Sequence, residues 1–181
     1  GAMDIIAGAK VSAAIPEAAE GCDLLLGTTS LHRIKPDRDV VALTAAGDYL
    51  AGRAPAAAAV LFGSEQTGLT REELSYCHAI LTIPTDDRQP SMNLGQSVAV
   101  AAYGLTAGAG APRAARPAAQ GPSAIETERL VARISARLRE AGGPAWGGPS
   151  QMEAIRRGLL DARLTKNAMN ALKLLLERGE A

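Results

Sequence analysis

The chain has 181 residues, 47% hydrophobic and 21% charged with no formal net charge, so it can bury a core of its own and has the composition of a globular domain with an appendage. No run reaches the roughly 18 apolar residues a membrane span needs and no basic stretch leads into an apolar one, so the cytoplasm is the default location and no membrane partner is expected. Cys22 and Cys77 stand far apart without Cys-x-x-Cys or Cys/His spacing, so no metal site or disulfide framework is expected and both read as reduced core or near-core thiols.

In chain order, the front reads as alternating strand and helix: an Ile5–Ile6 region, a short helix begun by Pro16 and running to Glu20, then the apolar run Cys22–Gly27 bounded by Gly21 and Thr28. That run has the signature of a buried strand. Ala58–Phe62, ended by Gly63, and Ala79–Ile83, ended by Pro84, repeat it. Between them Thr70-x-x-Glu73 has the form of a capping box, in which hydroxyl and carboxylate satisfy each other's backbone amides at a helix start. Strands alternating with helices predict an α/β fold with a mostly parallel sheet. Leu94, Val98, Ala101 and Leu105 recur at helical spacing and predict a long helix that closes this body near residue 105.

Residues 106–122 hold little beyond Ala, Gly, Pro and Arg and read as a linker between a body, 1–105, and a small all-helical extension, 123–181. The extension carries three helix signals: Ser123-x-x-Glu126 leading to Leu130, Ile134 and Leu138; Ser150-x-x-Glu153 leading to Ile155 and Leu159; and Thr165 leading to Met169, Leu172 and Leu176. Residues 1–105 carry 7 Lys+Arg against 12 Asp+Glu, whereas residues 106–181 carry 12 against 7. A basic appendage on an acidic body is consistent with contact to a polyanion or with a solvated helical face. Five aromatic residues are too few for a base-stacking platform, so RNA would be held through phosphate and shape.

Two segments carry chemistry. Leu61-Phe62-Gly63-Ser64-Glu65-Gln66-Thr67-Gly68-Leu69 follows a buried strand, and its two glycines permit a turn that brings backbone groups against a ligand, or a tight strand-to-helix connection with no ligand. Ile83-Pro84 opens a polar loop with Asp86, Asp87, Arg88 and Pro90, followed by Ser91-Met92-Asn93-Leu94. Ser91 is the expected N-cap of the long helix, whose free N–H groups favour an anionic group; capping alone accounts for the pattern equally well.

In this order and spacing, Gly-x-Glu-x-x-Gly-Leu at 63–69, Ile83-Pro84 and Ser91-x-Asn93-Leu94 before an apolar helix resemble the second and third signature motifs of the SPOUT (SpoU/TrmH) RNA 2′-O-ribose methyltransferases. The segment Gly27-Thr28-Thr29-Ser30, followed by Arg33, is similar to one in the TrmJ-type tRNA branch of that superfamily, which also has a helical C-terminal extension. The resemblance implies a deep trefoil knot whose loops grip S-adenosylmethionine, with contacts from Thr28, Gly63, Glu65, Gly68, Ile83, Ser91, Asn93 and Leu94. It also implies a homodimer packed through the helix after Asn93. The implied reaction is 2′-O-methylation of a ribose in RNA, with tRNA as partner and nucleotide 32 of the anticodon loop as target. In-line attack by a ribose hydroxyl on a sulfonium methyl needs orientation and a proton acceptor, so Ser91 and Asn93 are the candidate catalytic residues, orienting cofactor or hydroxyl.

Two departures stand out. The family's first motif, an Asn and an Arg, has no counterpart, since residue 1 aligns with the stretch that follows it. A strand-helix-strand unit is expected to be absent, together with the Arg that would activate the ribose hydroxyl or bind phosphate, and the 181-residue chain is expected to turn over poorly. Gly104 stands where the TrmJ branch often has Glu after Tyr103. His32 and His78, the only histidines, read as surface or strand-edge residues rather than proton carriers. An rRNA 2′-O-methyltransferase of the same class and a non-catalytic RNA-binding knot module are the alternatives.

Overall fold

The computed structural model describes residues 2–31, 35–107, 121–142 and 146–178. His32 and Arg33 lie outside the described residues, as does most of the expected linker.

Four parallel strands form the sheet: β1 (Leu24–Thr28), β2 (Val40–Ala42), β3 (Ala58–Leu61) and β4 (Ala79–Thr82), in the spatial order β2-β4-β1-β3. β1 is central, with Leu26 opposite Val60 of β3 on one side and Ala79 of β4 on the other. Because side chains alternate along a strand, Leu24 and Leu26 enter one face, with Val41, Leu43, Ala46, Ala79 and Leu81. The opposite face holds Ile80, Leu69 and Leu74. Both faces are covered, as a parallel sheet requires, which is why the strands read as unbroken apolar runs. Burying each such leucine contributes about 1.5–3 kcal/mol.

Polar side chains fix the strand starts. The Asp23 carboxylate accepts hydrogen bonds from the amides of Ala56 and Ala57, both at 3.1 Å, which aligns β1 with β3. His78 joins β4 to β1 twice: its amide donates to the Leu25 carbonyl at 2.8 Å and its Nδ1 accepts from the Leu25 amide at 3.1 Å. His78 is thus a strand-edge residue, in keeping with its expected structural role.

Short helices flank the sheet: α1 (Ala2–Ala7), α2 (Ile15–Ala18), α3 (Ala46–Arg53) and α4 (Arg71–Ser75). The capping box at Thr70 forms as the sequence indicated, with the Thr70 hydroxyl on the Glu73 amide and the Glu73 carboxylate on the Thr70 amide. The Ile5–Ile6 region is not a strand: it lies in α1, pairs with none of the four strands and has both side chains exposed. β2, followed by a 3-10 turn and α3, carries no strand signature in its sequence; its three residues acquire strand geometry only by pairing with β4, Val41 opposite Leu81.

The long helix α5 (Leu94–Ala107) runs as expected, with Ala101 buried and Leu105 on the core, but Val98 of the same predicted stripe is largely exposed. Beyond it lie α6 (Ala124–Gly142), α7 (Pro149–Asp161) and α8 (Lys166–Arg178). Ser123 and Glu126 form the predicted reciprocal cap of α6, and the Thr165 hydroxyl accepts from the Ala168 amide to cap α8. The Ser150 capping box does not form. The chain enters α7 two residues earlier, with Gly148 as the N-cap and Pro149 in the first turn, where its missing N–H costs nothing.

α6 packs on α2 and α7 on α4, so these helices share buried surface with the sheet body. At that junction Arg156, 4% exposed, makes a two-pronged ion pair with Glu128 at 2.8 and 2.9 Å, donates to the Ser75 hydroxyl, and lies 3.9 Å from the centre of the Tyr76 ring. Much of the basic charge that marked this part of the sequence is engaged internally: Arg133 pairs with Glu177, Arg137 with Glu140 and Arg157 with Asp161.

Candidate functional site

β1, β3 and β4 run in the same direction, so Thr28, Leu61 and Thr82 deliver three loops to one edge of the sheet. The carboxyl edge of a parallel sheet is where ligands bind in open α/β folds, because the backbone groups of the emerging loops converge there. The Thr28 hydroxyl donates to the Leu61 carbonyl at 2.9 Å and ties the first two strand ends together.

The loop after β3 folds back on itself. Gly68 donates its amide to the Ser64 carbonyl at 2.9 Å, and the Ser64 and Thr67 hydroxyls are 2.8 Å apart. Its glycines have separate reasons. A Cβ on Gly63 would sit 2.0 Å from the Gly68 carbonyl carbon, so the turn closes only without a side chain. Gly68 has φ +68°, and a Cβ there would meet nothing within 4 Å: its backbone lies bare to the space beside it.

The loop after β4 is pinched by Thr85, whose hydroxyl donates to the Pro90 carbonyl at 3.2 Å. At its exposed tip Arg88 grips Asp86 and holds that carboxyl below the usual carboxylate range through side-chain and backbone hydrogen bonds. The expected N-cap at Ser91 is corrected: Asn93 caps α5, its Oδ1 accepting from the amides of Gly95 at 2.9 Å and Gln96 at 3.4 Å. Asn occupies the position next to the first helical residue, where a side-chain oxygen reaches the free amides; Ser91 is two residues too early.

These loops enclose a cleft of about 340 Å³. Thr28, Gly63, Glu65, Gly68, Ile83, Ser91 and Leu94 line it; Asn93 does not, its carbonyl oxygen being turned onto its own helix. The sequence motifs did not single out Met92, Ser97 and Thr85, which also line it. Ser97, one helical turn after Asn93, could have been found from that spacing alone. The wall is mixed: Leu69, Leu81, Ile83 and Leu94 are apolar, several hydroxyls surround them, and Glu65 is the ionisable side chain among the lining residues. The volume lies within the range of small-ligand sites. An adenosyl group can lie on the apolar wall against bare backbone at Gly68, while a carboxylate suits a sulfonium or ammonium centre; S-adenosylmethionine therefore fits the donor set.

The all-parallel sheet with a glycine-turned cleft at its carboxyl edge accords with what residues 5–103 match, and the chain belongs to the SpoU rRNA methylase family, within the SPOUT class. Its relatives point to the TrmJ-type branch. The chain is 30% identical over 184 residues to the tRNA (cytidine/uridine-2′-O-)-methyltransferase TrmJ of Yersinia enterocolitica, covering 97% of this chain and 71% of that protein. It is 30% identical over 192 residues to the protein of the same name from Cronobacter sakazakii, covering 100% and 77%. Among solved structures, TrmJ from Z. mobilis ZM4 superposes with a TM-score of 0.83 over 100% of this chain and 78% of that one, at 22% identity, and shares its fold.

Proposed function

We propose that this chain takes part in S-adenosylmethionine-dependent 2′-O-methylation of a ribose in tRNA, with nucleotide 32 of the anticodon loop as the target. The observation that carries the reading is the convergence of the three strand-end loops on one cleft of ligand size, in a chain whose relatives bear the name tRNA (cytidine/uridine-2′-O-)-methyltransferase. When bound, S-adenosylmethionine supplies an electrophilic methyl group.

The protein's own residues hold and orient. Thr28 locks two strand ends, Gly63 lets the turn close, Gly68 leaves backbone bare to the ligand, and Ile83 and Leu94 give it an apolar wall. Ser91 is the candidate to touch the reacting groups: it is exposed in the cleft, and its hydroxyl has no partner among the described residues. Asn93 acts chiefly by fixing the start of α5, with its side-chain N–H₂ left to donate. The division into a methyltransferase body, a linker and a helical extension belongs to the same proposal, as does the knotted path of the cleft loops. A homodimer through α5 is supported by the exposure of Val98 and Tyr103 on that helix.

The test is transfer of labelled methyl groups from S-adenosylmethionine to tRNA and to rRNA, with the product hydrolysed in alkali. Label is expected in tRNA and at a bond that resists alkali, because a 2′-O-methyl ribose lacks the hydroxyl that attacks the neighbouring phosphate. Ser91→Ala is expected to lower the rate about 10²-fold, in the range for loss of one positioned polar group. The family's rRNA designation favours one rival, ribosomal RNA as substrate; label in rRNA alone would establish it, and alkali-labile label would overturn both.

A further inference from the structure

A second cavity, of about 290 Å³, lies at the opposite edge of the sheet, where β1 and β4 begin and the helical extension meets the body. The methyltransferase reading gives it no role. The body contributes Arg53 and His78; the extension contributes Thr127, Arg163 and the start of α8 at Thr165.

Its polar groups are predominantly donors. Because His78 Nδ1 accepts from the Leu25 amide, the ring proton sits on Nε2, which is a donor. Thr127 is 5% exposed as a residue and lines the cavity, where its hydroxyl is open to a ligand. Arg53 is held by Asp39 at 3.6 Å and by the Tyr49 ring at 4.8 Å, which presets its position. Arg163 has no carboxylate partner among the described residues. Asp23 is the one carboxylate in the wall, and both of its oxygens are already engaged by the Ala56 and Ala57 amides. The remaining wall is apolar, with Pro55, Leu159 and Leu164.

Two guanidinium groups, a neutral imidazole donor and a hydroxyl beside an apolar wall make a site for an anion joined to a flat or apolar body. We infer that this cavity binds a phosphate ester of nucleotide size, its phosphate between Arg53 and Arg163 and its apolar part against Leu159 and Leu164. Since its two sides come from the body and the extension, a ligand here stabilises the packing of one on the other.

The probe is adenosine 5′-monophosphate, titrated calorimetrically into the full chain with adenosine and inorganic phosphate alongside and with tRNA binding measured separately. The nucleotide is expected to bind at least about tenfold more tightly than adenosine, to be displaced by inorganic phosphate, and to bind unchanged with S-adenosylhomocysteine in saturating excess. Arg163→Gln, an exposed position whose change leaves the core intact, is expected to weaken it about tenfold; Thr127→Val, nearly the same shape, is expected to weaken it severalfold. Neither should alter the affinity for S-adenosylhomocysteine. Failure of the nucleotide to bind, displacement by S-adenosylhomocysteine, lack of competition by phosphate, or unaltered affinity in Arg163→Gln would each overturn the site. If Arg163→Gln instead weakens tRNA binding and lowers its salt slope by about one with no nucleotide binding, the cavity is an RNA contact and the small-ligand assignment fails.

Discussion

Arg156 on α7 and Glu128 on α6 form a two-pronged ion pair against the Ser75 hydroxyl and the Tyr76 ring, so a single buried guanidinium joins two helices of the C-terminal part to the sheet body. Removing one member of a buried pair strands the other, at a cost of about 3–5 kcal/mol, whereas replacing both by apolar residues can be nearly neutral. Arg156→Met is therefore expected to lower unfolding stability by that amount in a urea titration, and Arg156→Met with Glu128→Leu to recover most of it. Equal loss in the single and double variants would mean that the Ser75 and Tyr76 contacts, not the ion pair, hold the junction.

Gly63→Ala should disable the cleft without unfolding the chain, because the added Cβ meets backbone rather than a yielding side chain while the turn it opens is itself largely exposed. Calorimetry is expected to show at least a tenfold loss of affinity for S-adenosylhomocysteine. Gly52→Ala is the control: a Cβ there meets nothing within 4 Å, and alanine inside α3 should add about 0.5–1 kcal/mol of stability without touching cofactor binding. An unimpaired Gly63→Ala protein would refute the part given to this turn.

Burial, helped by the positive charges of Arg53 and Arg157, pushes the His78 imidazole down to about 4 from an ordinary 6.5. A depressed folded-state pKa means that the unfolded chain takes up the proton first. The stabilising contribution is complete above pH 6.5, declines as the pH falls toward 4, and amounts to roughly 3 kcal/mol when complete. His78→Asn, whose side-chain oxygen can accept the same Leu25 amide, should flatten the stability profile across that window. A profile as steep as the parent's would assign the acid sensitivity to other groups.

The two thiols should differ sharply. Cys77 is buried in the core and its pKa is pushed up to about 12, chiefly by desolvation, whereas Cys22 is only half-buried and raised less. Because the thiolate is the reactive form, a disulfide reagent at pH 8 is expected to modify Cys22 in the native protein and Cys77 only after denaturation. Modification of Cys77 at the native rate of Cys22 would show that the sheet opens locally around β4.

Local signals survived folding where the needed partner lay a few residues away and no neighbour competed for the helix start. The caps at Thr70, Ser123 and Thr165 formed because the hydroxyl and the amide it meets, and at Thr70 and Ser123 a carboxylate as well, belong to one helical turn. The glycines at 63 and 68 marked their turn for the same reason. Ser150 and Ser91 failed as caps because a competing neighbour, Pro149 in one case and Asn93 in the other, set the first residue of the helix.

By itself, then, the sequence determined which stretches are apolar enough to be buried strands, where most helices begin and which two loops carry the cleft's motifs, since these depend on side-chain type and near-neighbour geometry. Only the tertiary structure decided that Val40–Ala42 is a strand, that Arg156 is buried rather than solvated, and that a second cavity lies between Arg53 and Arg163. Each of those rests on partners dozens of residues away, from Leu81 facing Val41 to Ser75 meeting Arg156, and a chain's local pattern carries no measure of which distant groups folding will bring into contact.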